Sequence, residues 1–242
     1  MSNIQYSFKR YEKKYLLTEE QLSRLMPVLE KYMQPEEYGL HTINNIYFDT
    51  EDYQLIRNSL SKPPYKEKFR LRCYGVPEET DTVFAEIKKK FDGIVYKRRI
   101  AASPKEIEKF LNGETLPNAD HQTQRELRWF LFSHEIRPQV FIAYERMAYF
   151  GAEDSTLRIT FDRNIRYRTD NLILSRSDDA SPILDDDRIV MEVKISDAVP
   201  LWLAKELSRL EIYPVSFSKY GTCYEKHLVK QFLIERKAAI SC

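Results

Sequence analysis

Basic and acidic side chains recur two residues apart in four short segments of this chain. They are Lys68-Phe69-Arg70-Leu71-Arg72, Ala85-Glu86-Ile87-Lys88, Leu157-Arg158-Ile159-Thr160-Phe161-Asp162 and Val190-Met191-Glu192-Val193-Lys194. A spacing of two is the period of an extended strand, whose successive side chains point to opposite faces. Arg70 therefore shares a side with Arg72, Glu86 with Lys88, and Glu192 with Lys194. Their neighbours Phe69, Leu71, Ile87, Ile159, Phe161, Met191 and Val193 make the other side apolar. Two arginines side by side repel unless an anion lies between them, and guanidinium groups chelate phosphate bidentately. Phosphate binding is the chemistry these residues can do.

The full cation set on such segments is Lys14, Lys68, Arg70, Arg72, Lys88, Lys97, Arg99, Arg146, Arg158, Lys194 and Lys219. Two readings stand. The charged faces are either solvated and laced with cross-strand ion pairs, or they line a cavity that accepts a polyanion. The carboxylates Glu12, Glu86, Asp162 and Glu192 share these faces. For Glu86 and Asp162 ion pairing is the preferred role. Phosphates and carboxylates together can also hold a hard divalent cation, Mg²⁺ or Mn²⁺, through one or two carboxylates. Glu192 is the first candidate ligand and Glu12 the second.

Other chemistries find little support. Six glycines leave no P-loop and no dinucleotide-binding fingerprint. The four histidines are scattered, and His134-Glu135 is followed by Ile136-Arg137-Pro138, which breaks a zinc-protease motif. Ser216-Phe217-Ser218-Lys219 matches SxxK but lacks its companion motifs. Asp185-Asp186-Asp187 is expected to be a loop, and Tyr144 and Tyr149 packing residues. The net charge of +1 does not suit a duplex-binding protein, since the basic residues are concentrated on strand faces instead. That favours a bounded polyanion over nucleic acid. No apolar run approaches the roughly 20 residues of a membrane span, and the N-terminus lacks a signal-peptide core. Cys73, Cys223 and Cys242 form neither a disulfide frame nor a zinc motif. The expected location is cytoplasmic.

The elements that must position these residues follow from periodicity. Strands are expected at Tyr6–Leu17, His41–Asp49, Lys66–Tyr74, Thr82–Lys89, Gly93–Ala101, Gln139–Phe150, Ser155–Arg166 and Arg188–Ser196, with a short one at Leu172–Ser175. Asp92-Gly93 marks a hairpin turn and Pro77 to Asp81 another. Thr18 to Gln21 is a capping box opening a helix with Leu22, Leu25, Met26 and Leu29 on one side; Pro27 should kink it or shift its start. Further helices are expected at Glu51–Ser59, from Ser103-Pro104 to Glu135, at Pro200–Leu210 and at Tyr220–Arg236. About eight mostly antiparallel strands is the number that closes a small barrel. No repeat or linker divides residues 1–242, so one domain is expected.

In order along the chain, Glu12 to Tyr15, Arg70 to Arg72, Glu86 to Lys88, Lys97 to Arg99, Tyr144 to Tyr149, Arg158 to Asp162, Glu192 to Lys194 and Phe217 to Tyr220 resemble the VTC domain. This is the polyphosphate polymerase module of the triphosphate tunnel metalloenzyme superfamily. The resemblance implies an α+β fold: a closed antiparallel eight-stranded β-barrel, the triphosphate tunnel, with helices packed outside. It also implies a transferase that uses ATP, with Mn²⁺ or Mg²⁺, to extend a polyphosphate chain. Lys14, Arg70, Arg72, Lys88, Lys97, Arg146 and Lys219 would grip phosphates, with Arg99, Arg158 and Lys194 as additions, and Glu192 with Glu12 would hold the metal. The CYTH branch of hydrolytic relatives carries ExExK on the first strand, where this chain has Arg10, Glu12 and Lys14. That difference tilts the expectation from hydrolysis of triphosphate or nucleoside triphosphate towards transfer. A non-catalytic sensor of polyphosphate or inositol phosphate is the third reading.

Overall fold

The computed structural model describes residues 11–92, 94–174, 179–230 and 232–233. In chain order the elements are β1 (Tyr11–Leu17), α1 (Glu19–Tyr32), β2 (Met33–Pro35), β3 (His41–Asp49), α2 (Gln54–Leu60), β4 (Tyr65–Tyr74), β5 (Val83–Phe91), β6 (Ile94–Ala102) and α3 (Pro104–Leu111). There follow α4 (His121–Ser133), β7 (Arg137–Gly151), β8 (Arg158–Arg168), β9 (Ser181–Pro182), β10 (Ile189–Ile195), α5 (Leu201–Arg209), β11 (Pro214–Val215) and α6 (Lys219–Cys223), which runs into a π-helical turn at Tyr224–Leu228.

The strands form an α+β arrangement that corrects the expected closed eight-stranded barrel in two respects. Among the described residues there are eleven strands, and their hydrogen-bonded order, β11-β1-β10-β8-β7-β3-β4-β5-β6, is an open path with β2 attached to β7 and β9 to β8. Hydrogen bonds therefore do not close the sheet. The extra strands β2, β9 and β11 are two or three residues long, too short to carry a period in sequence. Leu172–Ile173–Leu174 forms no strand, and Ser175 lies outside the described residues. So do Tyr6 to Arg10, Gly93 and the end of the last expected helix. The helical stretch expected from Ser103 to Glu135 is broken into α3 and α4.

The chain divides into two compact units. The first comprises residues 1–41, 145–164 and 184–217. In it β1 pairs with β10 and β10 with β8, all antiparallel. Tyr15, Leu17, Ile159, Phe161, Met191 and Val193 face a core shared with Leu22, Leu25 and Leu29 of α1 and Leu203 and Leu207 of α5. The Thr18 capping box is present in full, and α1 runs through Pro27 without a shifted start. Tyr32 stacks on Trp202, with centroids 4.6 Å apart, and this fixes α1 against α5.

The second unit comprises residues 42–144, 165–183 and 218–242. Here β3, β4, β5 and β6 form an antiparallel meander. Its apolar face, with Phe69, Leu71, Ala85, Ile87 and Ile100, packs on Ile107 and Phe110 of α3 and Leu127 and Phe130 of α4. Ser103 caps α3 reciprocally with Glu106, and Pro104 fills the first turn. In both units the helices cover the apolar face, which leaves the charged face of the strands on the other side.

Candidate phosphate and metal site

Register turns the sequence pattern of the second unit into ranks. Tyr47, Arg70, Glu86 and Arg99 are cross-strand neighbours; Asn45, Arg72 and Phe84 form the next rank; Lys68, Lys88 and Lys97 form the rank on the other side. Lys66 and Lys90 follow. Strands β4 to β6 thus place eight basic residues (these seven with Arg99) on one face with a single carboxylate, Glu86.

Glu86 is buried, 2% exposed, which a fully solvated strand face would not allow. Its Oε2 accepts from Arg70 Nε at 2.9 Å and Nη2 at 2.8 Å, and its Oε1 pairs with Lys97. Burial would raise the Glu86 pKa, but Arg70, Arg72 and Lys97 bring it down to about 2. Burial works against the Arg70 charge as well, yet the adjacent Tyr47 phenol and the Glu86 carboxylate hold its pKa above the ordinary guanidinium value. Lys97 moves the other way, down to about 8, through burial and the neighbouring guanidiniums, with Glu86 opposing. The two arginines have different protein partners. Arg70 Nη1 donates to the Tyr47 hydroxyl at 3.1 Å, while buried Arg72 donates to Asn45 Oδ1 and to the Tyr144 hydroxyl, each at 2.9 Å. Asn45 is itself fixed by donating to the Ile142 carbonyl.

The start of α6 is docked onto this face. Asp49, fully buried, accepts from the backbone N–H groups of Thr50, Leu55 and Ile56, and so caps α2; its Oδ2 also accepts from the Tyr220 hydroxyl at 2.9 Å. Tyr220 stacks on Tyr47 with centroids 5.0 Å apart. This docking sets the Lys219 ammonium 4.3 Å from the centre of the Tyr144 ring. It also places Ser218 Oγ where Lys68 donates to it at 3.0 Å.

The first unit is built differently. Lys14 is paired in register with Glu192, Glu12 with Lys194, and Lys194 with Arg158. The Lys14 ammonium lies 3.2 Å from Glu12, 3.7 Å from Glu192 and 3.1 Å from the Phe217 carbonyl, and Lys194 lies 2.8 Å from Glu192. Arg146 and Asp162 form a buried bidentate pair at 2.6 and 2.7 Å, and Arg158 grips Glu36 in the same way at 2.6 and 2.9 Å. Cations and carboxylates are balanced here.

Glu12 and Glu192 gather around one ammonium, and Thr160, opposite Glu192 in register, buries a hydroxyl that has no hydrogen-bond partner among the described residues. Two oxygen ligands with a vacant polar neighbour fit the modest protein donor set of Mg²⁺ or Mn²⁺, which draws its remaining ligands from phosphate and water. Among the described residues no cluster of three or more His, Cys, Asp or Glu forms a complete protein cage.

The expected site residues therefore fall into two sets. Arg70, Arg72, Lys88, Lys97, Arg99 and Lys219 belong to the second unit; Glu12, Lys14, Arg146, Arg158, Glu192 and Lys194 belong to the first. Glu86 and Asp162 take the ion-pair roles expected of them. Arg10, at the first position of the hydrolase signature, lies outside the described residues. Asn45, Tyr47, Asp49, Thr160 and Tyr220 were not legible as site residues, and Tyr144 is more than packing, since its hydroxyl holds Arg72.

This combination of a charged strand face, an apolar face and covering helices is a fold seen in solved structures. A putative adenylate cyclase from Bacillus halodurans has 15% sequence identity and a TM-score of 0.53, over 88% of this chain and 95% of that one. A putative adenylyl cyclase from Hippeastrum, described as having a dominant triphosphatase activity, has 14% identity and a TM-score of 0.53, over 88% of this chain and 94% of that one. No curated protein matches the chain. The VTC domain matches residues 9–228. The chain belongs to the VTC domain family. No helix among the described residues is long and apolar enough to cross a membrane.

Proposed function

We propose that this protein is a metal-dependent polyphosphate polymerase that transfers the γ-phosphate of ATP to the end of a polyphosphate chain. The observation that carries the proposal is the excess of cations on the charged face of β4 to β6, whose one carboxylate, Glu86, is already engaged by Arg70 and Lys97. Such a face attracts a polyanion, and its arginines are held in place before the ligand arrives, which lowers the cost of ordering them on binding.

The reaction asks little else of the chain. A terminal phosphate is largely ionised near pH 7, its second pKa being about 6, so an acceptor oxygen attacks without a general base. The γ-phosphorus–oxygen bond to ADP breaks as the bond to the acceptor forms. Catalysis then rests on alignment and charge neutralisation. Arg70 and Arg72 would orient the transferring phosphoryl group, and Lys88, Lys97, Arg99 and Lys219 would hold the flanking phosphates. Glu192, with Glu12, would hold Mn²⁺ or Mg²⁺, which supplies charge neutralisation at phosphate oxygens when bound.

Incubation with ATP and Mn²⁺ followed by separation of phosphate chains by length tests the reading. Chains longer than triphosphate are expected. Orthophosphate alone would replace transfer with hydrolysis, and binding without any turnover would leave a sensor. Glu192→Ala is expected to abolish turnover while retaining most of the affinity for triphosphate; wild-type turnover in that variant would remove Glu192 from the metal site.

A further inference from the structure

The basic face of the second unit extends beyond the residues assigned to the triphosphate. Lys66 and Lys90 are cross-strand neighbours on the side of β4 and β5 that carries Lys68, Arg70 and Lys88. Both are partly exposed, and neither makes an ion pair among the described residues. The Lys66 ammonium reaches the Ser59 carbonyl at 3.5 Å. Lys62, in the turn before β4, is the third cation here: burial lowers the Lys66 pKa, and Lys90 and Lys62 lower it further. Like charges set side by side with no carboxylate between them cost energy unless an anion neutralises them.

Distance along the strand says which anion. From Arg72 to Lys66 is six residues, roughly 20 Å of antiparallel strand. A triphosphate is three linked phosphoryl groups and cannot engage all four ranks of this face at once. A chain of many phosphates can. We infer that Lys66 and Lys90, with Lys62 beside them, form a separate subsite that binds the distal part of a long inorganic polyphosphate, outside the triphosphate position. This inference rests on the polymerase reading of the same face. It gives the enzyme a means of holding its product between additions, because a chain anchored at the distal rank stays near the reacting rank.

The test is equilibrium binding of the full chain to triphosphate and to polyphosphate of several tens of units, without ATP, for the wild type, K66A/K90A and K66E/K90E. In K66A/K90A, triphosphate affinity is expected to stay within about twofold of wild type, while long-chain affinity falls about tenfold and its salt dependence becomes shallower by roughly one and a half units of slope for the two lost contacts. Charge reversal should deepen the loss. Both positions are on the surface, so unchanged thermal unfolding is expected and is measured alongside. Long-chain affinity unchanged in both variants would overturn the subsite. So would an equal loss for both ligands, since it would place Lys66 and Lys90 in the triphosphate position. A wild type that binds neither ligand would instead overturn the polymerase reading.

Discussion

The charged faces of the two units follow opposite plans. In the first, every principal cation meets a carboxylate: Lys14 with Glu12 and Glu192, Lys194 with Glu192, Arg146 with Asp162, Arg158 with Glu36. In the second, eight cations share Glu86 on the three strands, and their guanidiniums are oriented largely by neutral oxygens of Tyr47, Tyr144 and Asn45. A neutral acceptor fixes direction without cancelling charge. The balanced face is therefore suited to stability and to holding a cation, and the unbalanced face to holding an anion. Cationic residues that look equivalent in sequence do different work.

The sharpest way to break this contrast is Arg146→Ala. Removing one member of a buried ion pair leaves the other charge uncompensated and typically costs about 3–5 kcal/mol. Asp162 is fully buried, so a loss of that size is expected in urea or thermal unfolding. Preserved stability with lost triphosphate binding would instead make Arg146 a phosphate grip and erase the distinction.

Glu86→Gln probes the single carboxylate of the second face. Its pKa in the fold is about 2, below the ordinary glutamate value of 4.5. A depressed carboxyl pKa contributes stability above the unfolded value, and that contribution is lost as pH falls from about 4.5 towards 2. A shift of this size is worth at most about 3 kcal/mol. Stability measured across that window should fall steeply in the wild type and less steeply in the variant. Equal slopes would mean that Glu86 does not neutralise its neighbours.

A smaller effect is expected at Lys97. With its pKa pushed down to about 8, it loses its charge as pH rises through that value, and triphosphate affinity should weaken between about pH 7 and 9. Lys97→Met should bind more weakly at pH 7 and show a flatter profile over the same range. An identical profile in the variant would place the titrating group elsewhere.

The period of two made the cation ranks of β4 to β6 readable, because consecutive hairpins of a meander keep their register. Residues supplied by β3 were not readable. β3 reaches β4 through α2, and no short turn tells which residue of His41–Asp49 lies opposite Arg70 or Arg72; Tyr47 and Asn45 become partners only once Tyr47↔Arg70 and Asn45↔Arg72 are known. Asp49 resembles a strand-end residue until α2 folds back over it. The strand count failed for a related reason: pairs such as Lys14↔Val215 and Arg166↔Pro182 are set by distant parts of the chain and leave no local pattern. The ion-pair roles of Glu86 and Asp162 were readable because cations share their strand faces, Arg70 and Lys97 beside one and Arg146 beside the other.

The hydrogen bond between Asp49 and Tyr220 spans 171 residues of sequence. At a synthesis rate of about 5–20 residues per second, roughly ten to thirty seconds separate the appearance of these two side chains. During that interval the Asp49 carboxylate can already be held by the N–H groups at the start of α2, which are only a few residues away. Lys219 arrives together with Tyr220. The cationic face would then be assembled in a fixed temporal order, with the arginine ranks first and the Lys219 contribution last, so a half-made chain would carry the concentrated positive charge before Lys219 is docked beside it.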